Sequence, residues 1–214
     1  SKSVRCSSDK ALYRSKNKGF NHFISGANSM NTCLIVIDVQ ESFRHRPYST
    51  ERGMPTFLAA QNALIEGCGA HGVPVVRVLH VDGPRTADTP LARESGPAPP
   101  LKGLTHSPPA PTFQKPRHSA LVGTGLDVWL TQNGIQHLLI SGIRTEQCCE
   151  TTTRHASDLG WTVDFILDAT HTYDMQQPDG TPLSTNDIKA RTATVLNGRF
   201  AKVRNVAEVL ASMQ

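Results

Sequence analysis

Four short runs in this chain carry apolar residues on both alternating positions: "CLIVIDV" (Cys33 to Val39), "VPVVRVLHV" (Val73 to Val81), "IQHLLIS" (Ile135 to Ser141) and "WTVDFILDA" (Trp161 to Ala169). A strand with one wet face would alternate apolar and polar residues, so these runs read as strands buried on both faces, the signature of a parallel sheet. Helical patterns lie between them. "PTFLAAQNALIEGCGAH" opens on Pro55 and stops at Gly72, and "GLDVWLTQNG" stops at Gly134. After the third run, Cys149, Thr153, Ala156 and Gly160 recur at helical spacing. "STNDIKARTATVLNGRF" stops at Gly198, and the brief strand "AKVR" and helix "NVAEVLASM" end the chain. "TFQK" reads as a short edge strand ending at Lys115. Strand and helix alternate throughout, which predicts an α/β fold of three layers, helix, sheet, helix, with a Rossmann-like, mostly parallel sheet.

The 214 residues suffice for one such domain. The net charge of +4 is misleading, because residues 1–29 hold Lys2, Arg5, Lys10, Arg14, Lys16 and Lys18 against Asp9 alone. The remainder is close to neutral and has no clustered cations, so nucleic acid is not an expected partner. Residues 1–29 also lack hydrophobic periodicity and run into "MNTCLIVIDVQ", which reads like a native start. They are expected to be an added or upstream amino-terminal extension, with a targeting peptide as the rival reading, and residues 30–214 are expected to form the domain. Five cysteines, without the spacing of a disulfide framework or a zinc site, fit a reducing cytoplasm. No run is long and apolar enough for a membrane span. The Pro- and Gly-rich stretch from Asp82 to Pro111 is expected to be a binding lid or mobile segment.

In an open α/β sheet, ligands sit beyond the carboxyl ends of the strands. Asp38, Lys115 and Cys148 all fall there. Singly they could be a helix cap, a solvated cation and a small buried hydrophobe. Together an acid, a cation and a thiol make a nucleophile with its base and charge partner. "GIRTEQCCE" offers two thiols, Cys148 and Cys149. If Thr145 caps the following helix, Cys148 lies in its first turn, where the helix dipole and Lys115 favour a thiolate and a depressed pKa. Cys149 is rotated by about 100° and joins the stripe that faces the sheet. Cys148 is the expected nucleophile and Cys149 a packing residue.

"LIVIDVQESF", "FQKPRHSALVGTGLDVWL" and "LLISGIRTEQCCETTTRHASDLGWTVDFILDA" resemble the isochorismatase-like cysteine hydrolases, over nearly everything from Thr32 to Val203. The resemblance implies a six-stranded sheet, a catalytic triad of Asp38, Lys115 and Cys148, and a cis peptide that falls on Ile143–Arg144. The backbone N–H groups of Arg144 and Cys148 would form the oxyanion hole. Gln40 matches the family's aspartate–x–glutamine strand end, and Cys149 replaces its usual Val or Ile. Gln40, Phe43, His118 and Tyr173 are the expected substrate-binding residues, with His171 a further candidate for the pocket or a subunit contact. Arg144 is open to a substrate carboxylate or to an exposed salt bridge, and His155 is expected to be structural. Nicotinamidases of this family bind a metal through an Asp-x-His motif and a further His. Here His45 and His80 stand isolated, so no metal and no cofactor are expected.

The expected activity is therefore hydrolysis of a small amide, ureido or related carbonyl compound through a Cys thioester, by a cytoplasmic homo-oligomer, dimer or tetramer, acting on a small molecule. Two alternatives stay open: isochorismate-type vinyl-ether hydrolysis, in which Cys148 would be idle, and a non-catalytic interaction module on the same fold.

Overall fold

A computed structural model describes residues 31–81, 99–106 and 111–214. The expectations for residues 1–29 and for most of the Asp82–Pro111 stretch lie outside the described residues. In chain order the elements are β1 (Thr32–Ile37), α1 (Met54–Ala70), β2 (Val75–His80), β3 (Thr112–Lys115), α2 (Leu126–Gln132) and β4 (His137–Ile143). There follow α3 (Glu150–Asp158), β5 (Thr162–His171), a hairpin of β6 (Met175–Gln176) and β7 (Pro182–Leu183), α4 (Thr185–Leu196), β8 (Lys202–Arg204) and α5 (Val206–Ala211).

Six strands form one sheet in the order β3-β2-β1-β4-β5-β8, and every neighbouring pair is parallel. β1 shows why the strands read as continuous apolar runs. Its Leu34 and Val36 join one core with α1 and α5, including Phe57, Leu64, Val206 and Val209. Its Cys33, Ile35 and Ile37 join the core on the other face, with Leu126 and Leu130 of α2, Ala156 of α3 and Leu196 of α4. Both faces are covered, so neither set of side chains can be polar. The chain is the three-layer α/β/α sandwich expected.

From β1 the chain adds β2 and β3 on one side, then crosses to β4 and adds β5 and β8 on the other. The direction reverses between β1 and β4, and the crevice above such a switch point is where open α/β sheets bind ligands. Gly142 makes this seam possible. It pairs with Ile37, has φ 128°, and a Cβ there would fall 2.0 Å from the Ile37 carbonyl oxygen. Only glycine tolerates both conditions.

Two elements differ from the sequence reading. β5 runs on to His171 rather than ending near Asp168. A register shift lets Thr170 and His171 pair with Gly142 and Ile143. Asp168 is exposed, and its carboxylate accepts the Val206 N–H at the start of α5. The helix after β4 also starts differently. Residues Thr145–Cys149 form a π-helical turn ahead of α3, with the Cys149 N–H bonded to the Arg144 carbonyl at 3.2 Å. Thr145 is not its cap. The Thr145 hydroxyl donates to Thr170 Oγ1 at 2.9 Å instead, a contact across 25 residues that local pattern cannot reveal.

Candidate active site

Asp38 follows β1 directly. Its backbone takes φ 54°, an uncommon left-handed conformation for a residue with a side chain, and its N–H is held by the Val78 carbonyl at 2.8 Å. Gln40 secures the same strand end. Its amide donates to Ser42 Oγ and to the His80 carbonyl and accepts the His80 N–H, at 2.8, 3.2 and 2.9 Å. It is fully buried, so this expected substrate-binding residue has its amide committed to joining β1 to β2 and acts as a brace.

Lys115 ends β3 beside His80 of β2. Its side chain and that of Asp38 are both 0% exposed, and Nζ lies 2.7 Å from Asp38 Oδ2. The same ammonium donates to Cys148 Sγ at 3.2 Å and to the Arg117 carbonyl at 3.1 Å, and His80 Nδ1 lies 3.1 Å away. An isolated buried ammonium or carboxylate would be prohibitively costly to desolvate, and here each has a charged partner and further polar neighbours. The structure thus brings together the three residues from β1, β3 and the turn after β4. His80, which looks isolated in sequence, belongs with them. No short-range signal marks it; only the β2–β3 pairing brings it to Lys115.

The titration of this cluster corrects one expectation. Cys148 was expected to have a depressed pKa. Burial and then the Asp38 charge instead push its thiol up to about 12, against the opposing pull of Lys115. Burial also raises Asp38 above the ordinary carboxylate range, outweighing Lys115 and the hydrogen bond with Cys148. Burial would lower Lys115, but the charges of Asp38 and Cys148 prevail and raise it. Cys148 thus rests as a thiol, and one ammonium contacts both its Sγ and Asp38.

Cys149 has different surroundings. It is 0% exposed, packs in the core with Ala156 and Phe165, and is raised well above the usual thiol range, first by burial and then by Cys148. Cys148 belongs to the same core cluster, and what sets it apart is its contact with the Lys115 ammonium.

The other candidates divide between the site and the core. His118 is exposed, with Nδ1 3.8 Å from Cys148 Sγ. His155 Nδ1 pairs with Ser119 Oγ at 2.8 Å, a structural contact. Phe43 and Tyr173 are buried in the core on the α1 face, with the Tyr173 hydroxyl 3.5 Å from the Phe43 carbonyl. Arg144 forms a salt bridge with Glu146 at 3.0 Å, and both side chains are largely buried, at 7% and 11% exposure, so this is not the exposed pair envisaged. Its guanidinium lies 4.8 Å from the ring centre of Tyr48 and 5.8 Å from that of Tyr173. Tyr48 was missed, because it falls in a polar stretch without periodicity. His171 packs on Phe57 and Tyr173, and burial, helped by Lys189 and Arg144, lowers its pKa to about 4. The peptide Ile143–Arg144 is cis.

A nicotinamidase-type metal site does not fit these residues. His45 is exposed and His80 faces the Lys115 ammonium. Among the described residues no group of three His, Cys, Asp or Glu side chains is arranged to hold a metal ion.

The profile of the isochorismatase domain matches residues 32–199. The chain belongs to the isochorismatase family. It is 28% identical over 165 residues to nicotinamidase 3 of Arabidopsis thaliana, covering 72% of this chain and 80% of that protein. Over a shorter stretch of 57 residues it is 42% identical to a ureidoacrylate amidohydrolase of Enterobacter sp. (strain 638), which is 27% of this chain and 25% of that protein. A crystal structure of an isochorismatase-family protein from Chromobacterium violaceum ATCC 12472 superposes with a TM-score of 0.75 at 25% identity, covering 89% of this chain and 96% of that one. The chain is a hydrolase of this family.

Proposed function

We propose that this family member is a cysteine hydrolase that cleaves the C–N bond of a small amide or ureido compound. The observation that carries the reading is the Lys115 ammonium placed between Asp38 Oδ2 and Cys148 Sγ, at 2.7 and 3.2 Å, in a buried cluster at the sheet's switch point. A scaffold that only bound a partner would gain nothing from burying these charges beside a thiol.

Asp38 takes the thiol proton as Sγ attacks the carbonyl carbon. Lys115 stabilises the carboxylate before this transfer and the sulfur anion during it. The negative charge that builds on the carbonyl oxygen is met by the backbone N–H groups of Arg144 and Cys148. Asp38 then gives its proton to the departing amine as the C–N bond breaks, which leaves a thioester on Cys148, and water completes the hydrolysis. Burial favours the protonated form of Asp38, which suits its return of the thiol proton to the departing amine. Two relatives named for hydrolysing amide or ureido compounds support this bond type over a vinyl ether.

A small molecule is the proposed partner, and a homodimer or homotetramer the proposed assembly, readable by light scattering. A reducing compartment such as the cytoplasm suits a thiol nucleophile. No helix of the described residues is long and apolar enough to cross a membrane. The deciding experiment assays small amides, ureido compounds and isochorismate for released ammonia or other product, beside Cys148→Ala. Ammonia released by the native enzyme and lost in Cys148→Ala is the expected result. Isochorismate turnover that survives Cys148→Ala would replace this reading with vinyl-ether hydrolysis.

A further inference from the structure

The two half-reactions place different demands on the site. Acylation needs a base in contact with the thiol, and Asp38 fills that role from within. Deacylation needs a base for a water that arrives from solvent. Asp38 is fully buried and tied to Lys115 at 2.7 Å, so it sits on the inner side of Cys148. His118 sits on the outer side, its residue exposed and its Nδ1 3.8 Å from Sγ.

The segment that carries His118 is stitched to the structure on both flanks. The Lys115 ammonium holds the Arg117 carbonyl at 3.1 Å. On the other flank, Ser119 Oγ pairs with His155 Nδ1 at 2.8 Å and the Ala120 N–H donates to Thr152 Oγ1 at 2.9 Å. Both partners lie on α3, the helix that follows Cys148. The ring is thus positioned against the thiol by the same elements that position the thiol. A thiol with an imidazole in reach on its solvent side is an arrangement that supports proton transfer.

Resting on the cysteine-hydrolase reading, we propose that His118 is a second catalytic residue, the general base for deacylation. Water adds to the thioester carbonyl carbon while Nδ1 of neutral His118 takes its proton. The tetrahedral intermediate collapses, the C–S bond breaks, and the acid product leaves. Sγ departs as a thiolate beside Lys115 and regains a proton from the His118 imidazolium. One water is consumed, nothing is oxidised or reduced, and both side chains return to their starting forms. Labour is divided by position: Asp38 serves the thiol and His118 serves the water.

The test uses p-nitrophenyl acetate on the full chain as a probe that acylates thiols without a native substrate. Nitrophenol release reads acylation, and intact mass over time reads loss of the acetyl group. In His118→Ala and His118→Gln the burst should stay within about threefold of the native protein, while deacetylation should slow by about a hundredfold. Added imidazole should restore deacetylation in His118→Ala. Deacetylation within threefold of native in both variants, or slowed deacetylation that imidazole fails to restore, would overturn the role of His118. Equal acetylation of Cys148→Ala and native protein, or no acetylation of native protein at all, would count against Cys148 as the nucleophile and so against the underlying reading as well.

Discussion

The π-helical turn after β4 has two sides, and each holds a thiol. On one side Cys148 meets the Lys115 ammonium, the Asp38 carboxylate and the His118 ring. On the other Cys149 meets the apolar core formed with Ala156 and Phe165. Both thiols are pushed up by burial, so acidity at rest does not separate them. What separates them is who can receive the proton and stabilise the anion. On the proposed reading, Cys148 is set apart by its neighbours, Lys115, Asp38 and His118, and not by a preformed thiolate.

The largest expected effect comes from exchanging the two sides. Cys148→Ser should lower turnover by at least about a thousandfold, because removing a nucleophile abolishes the covalent route. Cys149→Val should stay within a few-fold of native, since a branched apolar side chain suits the core it enters. Equal losses in steady-state assays of the two variants would dissolve the contrast.

Asp38→Asn sharpens the comparison by separating acidity from catalysis. The Asp38 charge raises the Cys148 pKa, and Lys115 lowers it. Removing the carboxylate takes away one of the two causes that raise the thiol and leaves burial alone against Lys115, so the folded-state pKa falls and the thiolate fraction at neutral pH rises. Turnover should be lost while iodoacetamide alkylation of Cys148 accelerates by about tenfold, the equivalent of one pKa unit. Slower alkylation in Asp38→Asn, followed by stopped aliquots, would mean that the carboxylate serves the thiol mainly as a base even at rest.

Gly142→Ala tests the seam on which both sides depend. A Cβ there would lie 2.0 Å from the Ile37 carbonyl oxygen on a backbone with φ 128°. Chemical denaturation should show a loss of about 3 kcal/mol or more from strain and overpacking. A midpoint close to native would show that β1 and β4 can part without penalty.

The smallest expected effect is that of chelation. With His80 on Lys115 and His45 exposed, exhaustive chelation should leave the rate unchanged. A loss restored by added metal would place an ion in the mechanism.

Much of this architecture is legible in the sequence because its strands are buried on both faces. Val36 and Ile37 must both be apolar when helices cover both sides, so the run announces itself and its carboxyl end places Asp38. Cys149 likewise follows from helical spacing with Thr153 and Ala156. Features set by long-range contact are not legible. The π-turn depends on groups such as Thr145, paired with Thr170 across the β4–β5 seam, and His80 meets Lys115 only through strand pairing. The raised Cys148 pKa is not legible, because local spacing shows the helix end but not the depth of burial that outweighs Lys115. Gln40, placed at the substrate by resemblance, proves to be braced against His80.

Cys148 as the reactive thiol is tested most directly by peptide mapping after limiting iodoacetamide at neutral pH, with residual activity followed in parallel. The expected result is labelling at Cys148 ahead of Cys33, Cys68 and Cys149, which have no exposed surface, with inactivation tracking the Cys148 adduct one for one. First labelling at Cys149, or full activity in protein alkylated at Cys148, would contradict it.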